Sequence, residues 1–292
     1  MIGAAKAGTT SLYHYLGQHP QIFMSPIKEP RFFALAGHPM DFRGPNDERI
    51  RDTSTTTLVA YQELFDGVRD EVAIGEASTI YLDSEATPAA IERGLPDVKL
   101  IAVLRDPAER AYSAFLHLRS DGSEPESDFE AALRDEPRRV AAHWFHYWRY
   151  RERGFYHRHL KRYVDRFGPR RIRVYLYEDL ERDSLAVLSD IFRFLGVDPS
   201  FRPDVTKRYN VSGEPRSPQW RNLLTRRRPV KQALKRVLPE RWGHGVIDWL
   251  QLRPRPRPPL PPETRARLVA GYREDIRQLE DLIGRDLSAW LR

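Results

Sequence analysis

Apolar residues along this chain recur with two spacings, and the alternation between them predicts the architecture. The run at 99–104 turns continuously apolar after Lys99, the pattern of a strand buried on both faces. Shorter apolar runs at 21–24, 71–74 and 171–177 predict three more strands, and the opening residues read as the end of another. Helical spacing fills the intervals. Leu12, Tyr15 and Leu16 share one face of a helix ending near Gln18, and further helices are expected at 58–65, 87–93, 154–167 and 185–195. Two more open at Asp106-Pro107-Ala108-Glu109 and at Ser127-Asp128-Phe129-Glu130, where an acidic N-cap precedes a Glu. Strands alternating with helices predict an α/β fold, a parallel sheet of about five strands covered on both sides. Residues 25–33 read as an extended loop and 37–55 as a polar surface excursion.

The last third of the chain has a different texture. Residues 207–220 are polar, 226–250 are amphipathic and basic, and 253–262 form a Pro/Arg run suited to an extended linker. Helical periodicity returns at 268–283. There are no internal repeats and no second apolar cluster. One domain over 1–292 is therefore expected, with an α/β core at 1–200, a loop at 201–225 and a basic helical extension at 226–292.

The sharpest local signal is Gly3-Ala4-Ala5-Lys6-Ala7-Gly8-Thr9-Thr10-Ser11-Leu12. Five of its residues carry little or no side chain, so a ligand can approach the backbone. Thr9, Thr10 and Ser11 stand where the N–H groups of a new helix lack partners, and a lysine at such a helix start makes an anion site. An ordinary strand–turn–helix with two glycines is the plainer reading. Lys6 between the glycines and three hydroxyls after them favour an oxyanion. The Gly3-to-Gly8 spacing matches a nucleotide phosphate loop, but that motif continues with Lys and then Ser or Thr. Here Thr9 follows, and the lysine lies inside the loop.

Ligands of open α/β sheets gather at the carboxyl ends of the strands. Residues 3–11, Lys28, Glu29, Glu76, Arg105 and Glu178 all follow strand ends, so they are expected to converge. An arginine ending a buried strand is costly unless an anion pairs with it. Ser113, two turns along the following helix, is placed to share that anion, and an acidic neighbour is the alternative partner of Arg105.

Composition narrows the setting. The 292 residues suffice for one large core, and 40% hydrophobic with 30% charged residues suit a soluble globular chain. No apolar run approaches the roughly 20 residues that span a bilayer. No leader pattern precedes the motif at residue 3, so a cytoplasmic location is expected; the shortness of the first strand also suggests that a few residues precede it in the full protein. The absence of cysteine excludes disulfides and thiolate metal sites. A net charge of +7 suits nucleic acid, an anionic membrane, an acidic glycan or a polyanionic cofactor. The arginines are spread over many helices, however, and no nucleic-acid partner is expected. The 226–250 stretch has the character for peripheral membrane contact, against the plainer reading of a helix packed on the domain with its cations in water.

Four segments, in order over residues 1 to about 200, resemble the sulfotransferases that use 3′-phosphoadenosine 5′-phosphosulfate. The Gly3 to Leu12 motif resembles their 5′-phosphosulfate loop. Lys28-Glu29-Pro30-Arg31-Phe32-Phe33 is similar to the Lys-Glu-x-x-Phe-Phe segment of the glycan (heparan-type) branch. Glu76-Ala77-Ser78-Thr79-Ile80-Tyr81 occupies the place of a Glu-Lys-x-x-x-Tyr segment, with Ala77 where that branch has lysine. Leu104-Arg105-Asp106-Pro107 with Arg110-Ala111-Tyr112-Ser113 resembles the 3′-phosphate motif, and Leu282-Ile283-Gly284-Arg285-Asp286-Leu287 is similar to the end of bacterial members. The branch's late Lys-Gly-Arg loop is replaced by residues 207–217.

The resemblance implies a P-loop-NTPase-like three-layer fold and metal-free sulfuryl transfer to a hydroxyl of a carbohydrate, glycolipid or secondary metabolite. It implies Lys6, Ala7, Gly8, Thr9, Thr10 and Ser11 around the 5′-phosphosulfate. It implies Arg105 and Ser113 on the 3′-phosphate, and Tyr209 and Arg216 in a closing loop. Catalytic roles fall to Glu29 as general base and to Lys6 and Lys28 as cations near the leaving group. The rivals are a P-loop-like kinase and a non-catalytic nucleic-acid-binding protein. Nothing in the sequence reads the acceptor or the oligomeric state.

Overall fold

The computed structural model describes residues 1–207, 209 and 258–292. Its strands form two parallel ladders. β1 (Ile22–Met24) pairs with β2 (Ala73–Gly75), and β3 (Leu100–Leu104) pairs with β4 (Ile172–Leu176). The opening residues run between β3 and the stretch after β2. Ile2 and Ala4 donate to Ile101 and Val103 carbonyls at 2.9 and 2.7 Å, while Leu82 donates to the Ile2 carbonyl at 2.9 Å. The expected five-stranded sheet is thus four strands and a bridging segment, Gly3 making a single parallel bridge to Ala102.

Every residue of β3 is buried, as its unbroken apolar run requires. Helices cover this frame: α1 (Thr9–Leu16), the short α2 (Phe32–Leu35), α3 (Glu48–Thr53) and α4 (Leu58–Glu63), then α5 (Thr87–Gly94), α6 (Pro107–Asp121) and α7 (Phe129–Ala141). After them come α8 (Tyr156–Phe167), α9 (Tyr177–Arg182), α10 (Ser184–Leu195) and α11 (Pro262–Ile283). The predicted caps hold. Asp106 Oδ1 accepts the Ala108 and Glu109 N–H groups, and Asp128 Oδ2 accepts that of Ala131. Residues 25–33 and 37–55 are less irregular than expected, since α2 begins at the end of the first and α3 lies in the second. Helices of four and six residues are too short to show a helical period.

The expected helical C-terminal region is present. α11 begins at Pro262, six residues before the periodic run, and packs into the core. Leu268, Val269, Tyr272, Ile276 and Leu279 are buried against α6 and α8 and belong to the same apolar core as β3. Asp275 accepts the N–H groups of His157 and Arg158 at 2.9 and 3.2 Å, serving from a distance as a cap for the first turn of α8. The expected membrane-facing stretch at 226–250 and the first part of the expected 253–262 linker, as far as residue 257, lie outside the described residues, as does most of the 201–225 loop.

Candidate active site

Residues 5–11 form one wall of a cavity of about 490 Å³. Gly8 occupies the N-cap of α1 at φ 84°, a conformation that favours glycine, and it has no side chain with which to cap the helix. A Cβ there would meet the Tyr177 ring at 3.1 Å. The first turn of α1 is therefore presented to the cavity, with Lys6, Thr9, Thr10 and Ser11 around it. Lys6 itself adopts φ 65°. Ala7 is the exception among the loop residues. It is fully buried, does not line the cavity, and its N–H is turned to the Ala4 carbonyl at 3.3 Å.

Arg105 and Ser113 line the same cavity. The Arg105 guanidinium lies 4.7 Å from the Tyr177 ring centroid, donates to the Lys6 carbonyl at 3.3 Å and stands 3.8 Å from Glu109. The acidic alternative of the sequence reading is thus present as a loose contact. Tyr209 also lines the cavity, stacked on His14 at 4.0 Å between centroids, with its N–H donating to Ser11 Oγ at 3.1 Å. Arg216 lies outside the described residues.

Lys28 and Glu29 complete the wall. Glu29 takes φ 65° and Arg31 φ 60°, so this segment, like Lys6, holds non-glycine residues in the left-handed region. Such conformations cost about 1–3 kcal/mol each and persist where surrounding contacts fix them. Those contacts are explicit. The Glu29 N–H donates to the Ala77 carbonyl at 2.8 Å, and that of Arg31 to Ser78 Oγ at 2.9 Å. The Glu29 carboxylate accepts from Thr79 N–H and Oγ1 at 3.0 and 2.8 Å and from Lys28 Nζ at 3.1 Å. Burial alone would raise its pKa, but Lys28, Arg31 and the Thr79 hydroxyl outweigh burial and hold it below the usual range. Glu29 is accordingly a carboxylate at neutral pH, a proton acceptor facing the cavity.

Two expected members do not reach the cavity. Glu178 accepts from Trp290 Nε1 at 3.1 Å, and Glu76 is buried behind the wall with its carboxylate on Ser78 Oγ at 3.0 Å. Both follow strand ends, but the chain turns there and sends each carboxylate away. Sequence reasoning missed His117, Tyr147 and Arg153, which line the cavity. Burial and the nearby Lys6 pull the His117 pKa down to about 4, against the opposing pull of Asp121. Its signal was available: Ser113, His117 and Asp121 follow one another at four-residue steps along one stripe of α6. Tyr147 and Arg153 carried none. They are placed by ties of Tyr147 to Arg31, at 2.9 Å, and of Arg153 to Asp83, at 3.0 Å.

The chain matches the model of the sulfotransferase family over residues 1–202. It is 35% identical to a sulfotransferase from Alicyclobacillus acidocaldarius of known structure, covering 100% of this chain and 97% of that one with a TM-score of 0.80. Among curated proteins it is 27% identical to mouse bifunctional heparan sulfate N-deacetylase/N-sulfotransferase 4, and 26% identical to human bifunctional heparan sulfate N-deacetylase/N-sulfotransferase 3. Both alignments span the whole chain but only 31% of the relative's length. The chain belongs to the sulfotransferase family, with that family's P-loop-NTPase-like α/β fold.

Proposed function

We propose that this sulfotransferase moves a sulfuryl group from 3′-phosphoadenosine 5′-phosphosulfate to a hydroxyl of a carbohydrate, glycolipid or secondary metabolite. The observation that carries this reading is that two anion-holding groups and one ionised carboxylate line a single cavity. The loop at 5–11 suits the 5′-phosphosulfate, through a helix start, hydroxyls and the Lys6 cation. Arg105 and Ser113 suit the 3′-phosphate. A donor with phosphate groups at two positions needs both.

The chemistry then follows from charge. Glu29 takes the proton of the acceptor hydroxyl as its oxygen bonds to sulfur. The bond from sulfur to the bridging phosphate oxygen breaks, and the bisphosphate leaves with the electron pair. Negative charge grows on that bridging oxygen, where Lys6 and Lys28 stabilise it. Lys28 already touches Glu29, so one cation serves both the base and the leaving group. The names of the curated relatives point to a glycan acceptor. Ala77 is fully buried and stands where the heparan-type pattern has lysine, which speaks against a heparin-like polymer as the acceptor.

Titration with adenosine 3′,5′-bisphosphate in a chelator, beside Mg·ATP, tests the donor. Tight metal-independent bisphosphate binding is expected, and binding of ATP alone would overturn the reading. A screen of hydroxyl and amino sugars with radiolabelled sulfate donor then identifies the acceptor.

A further inference from the structure

α11 reaches the turn that follows β3 through one side chain. Arg265 Nη2 donates to Asp106 Oδ2 at 2.7 Å. Its Nη1 is buried, finds no hydrogen-bond partner among the described residues, and lies 3.9 Å from Glu109 Oε1. Asp106 is divided between two tasks, Oδ1 capping α6 and Oδ2 holding Arg265. Glu109 stands between two arginines, 3.8 Å from Arg105 and 3.9 Å from Arg265, both separations longer than a direct hydrogen bond.

This arrangement bears on the anion site. Arg105 and Glu109 are four residues apart across the helix start, the spacing at which opposite charges close into a pair. A carboxylate paired with Arg105 would have to be displaced by any phosphate that binds there. A second guanidinium on the opposite side of Glu109 divides that attraction. The Asp106 tie also fixes the start of the helix that carries Ser113.

We propose that Arg265 is a positioning residue for the distal anion site. It restrains Glu109 and so keeps the Arg105 guanidinium open to the 3′-phosphate of the donor. The inference rests on the donor reading given above. Arg265→Met retains the alkyl stem and removes the charge, so packing on α6 is largely kept.

The test is calorimetric titration of the whole protein with adenosine 3′,5′-bisphosphate and with adenosine 5′-phosphate, in R265M, E109Q and R265M/E109Q beside the parent. R265M weakens bisphosphate binding about tenfold, the scale of one charge-assisted contact, and leaves monophosphate binding unchanged. E109Q in the same chain restores bisphosphate affinity. Equal weakening of both nucleotides without rescue means that Arg265 only supports the fold, and unchanged binding means that Glu109 needs no restraint; either result overturns the inference. A parent protein that binds the two nucleotides equally would instead remove the 3′-phosphate site itself, a failure of the underlying reading seen before any variant is made.

Discussion

Around residues 5–11 the cavity wall is one contiguous stretch of chain, shaped by small residues and a helix start. Around Glu29 it is assembled from three stretches far apart in sequence: Lys28 to Arg31, Thr79 with Asp83, and Tyr147 with Arg153. The first end presents a helix start and hydroxyl groups supplied by neighbours in sequence. The second holds a carboxylate in a strained conformation through partners about 50 residues or more away. Local construction tolerates change elsewhere in the fold, whereas assembled construction depends on every partner being in place.

The largest expected effect separates the two ends. Glu29→Gln lowers transfer by roughly 10²–10⁴-fold, the range of a lost general base, and leaves bisphosphate binding unchanged by calorimetry. Activity close to that of the parent would take Glu29 out of the chemistry. Lys6→Ala breaks the separation from the other side. Here kcat falls about 10²-fold, the range for losing one group that stabilises developing charge, and bisphosphate affinity falls with it. If affinity alone fell, Lys6 would be a ground-state contact only.

Thr79→Val probes the assembled end more gently. It removes the hydroxyl that lowers the Glu29 pKa and keeps the Thr79 N–H bond. The Glu29 pKa rises, so the acid limb of the pH profile of kcat/KM moves to higher pH. An unmoved limb would show that Glu29 does not set it. The smallest effect lies at the border between the ends. His117 takes up its proton near 6.5 in the unfolded chain but near 4 in the folded one. Stability is therefore full above pH 6.5 and declines as pH falls from 6.5 toward 4. His117→Gln makes that decline shallower in denaturant titrations run across this window, and an unchanged slope would contradict the assignment.

The same contrast explains what could be read from the chain beforehand. β3, the α6 cap and the loop at 3–11 were legible because each is specified by neighbours in sequence: an unbroken apolar run, Asp106 before Pro107, glycines flanking Lys6. Glu29 was legible as a residue after a strand, but its geometry was not. Its left-handed backbone is imposed by Ala77, Ser78 and Thr79, which no local pattern announces. Tyr147 and Arg153 stayed hidden for the same reason. Glu178 misled because a strand end fixes where a residue begins, not which way its side chain turns. α11 was legible as a C-terminal helix from its periodicity, but not where it packs, because its burial depends on faces of α6 and α8 that sequence alone does not match to it.

The left-handed residues at 6, 29 and 31 have a consequence for protein engineering. Glycine at such a position relieves about 1 kcal/mol of backbone conflict, so a library ranked by heat resistance alone is drawn toward Lys6→Gly and Glu29→Gly. Those substitutions would delete the groups assigned to the chemistry. A hardier sulfotransferase obtained in that way would be a silent one, so improvement of this scaffold calls for turnover to be scored in the same round as melting.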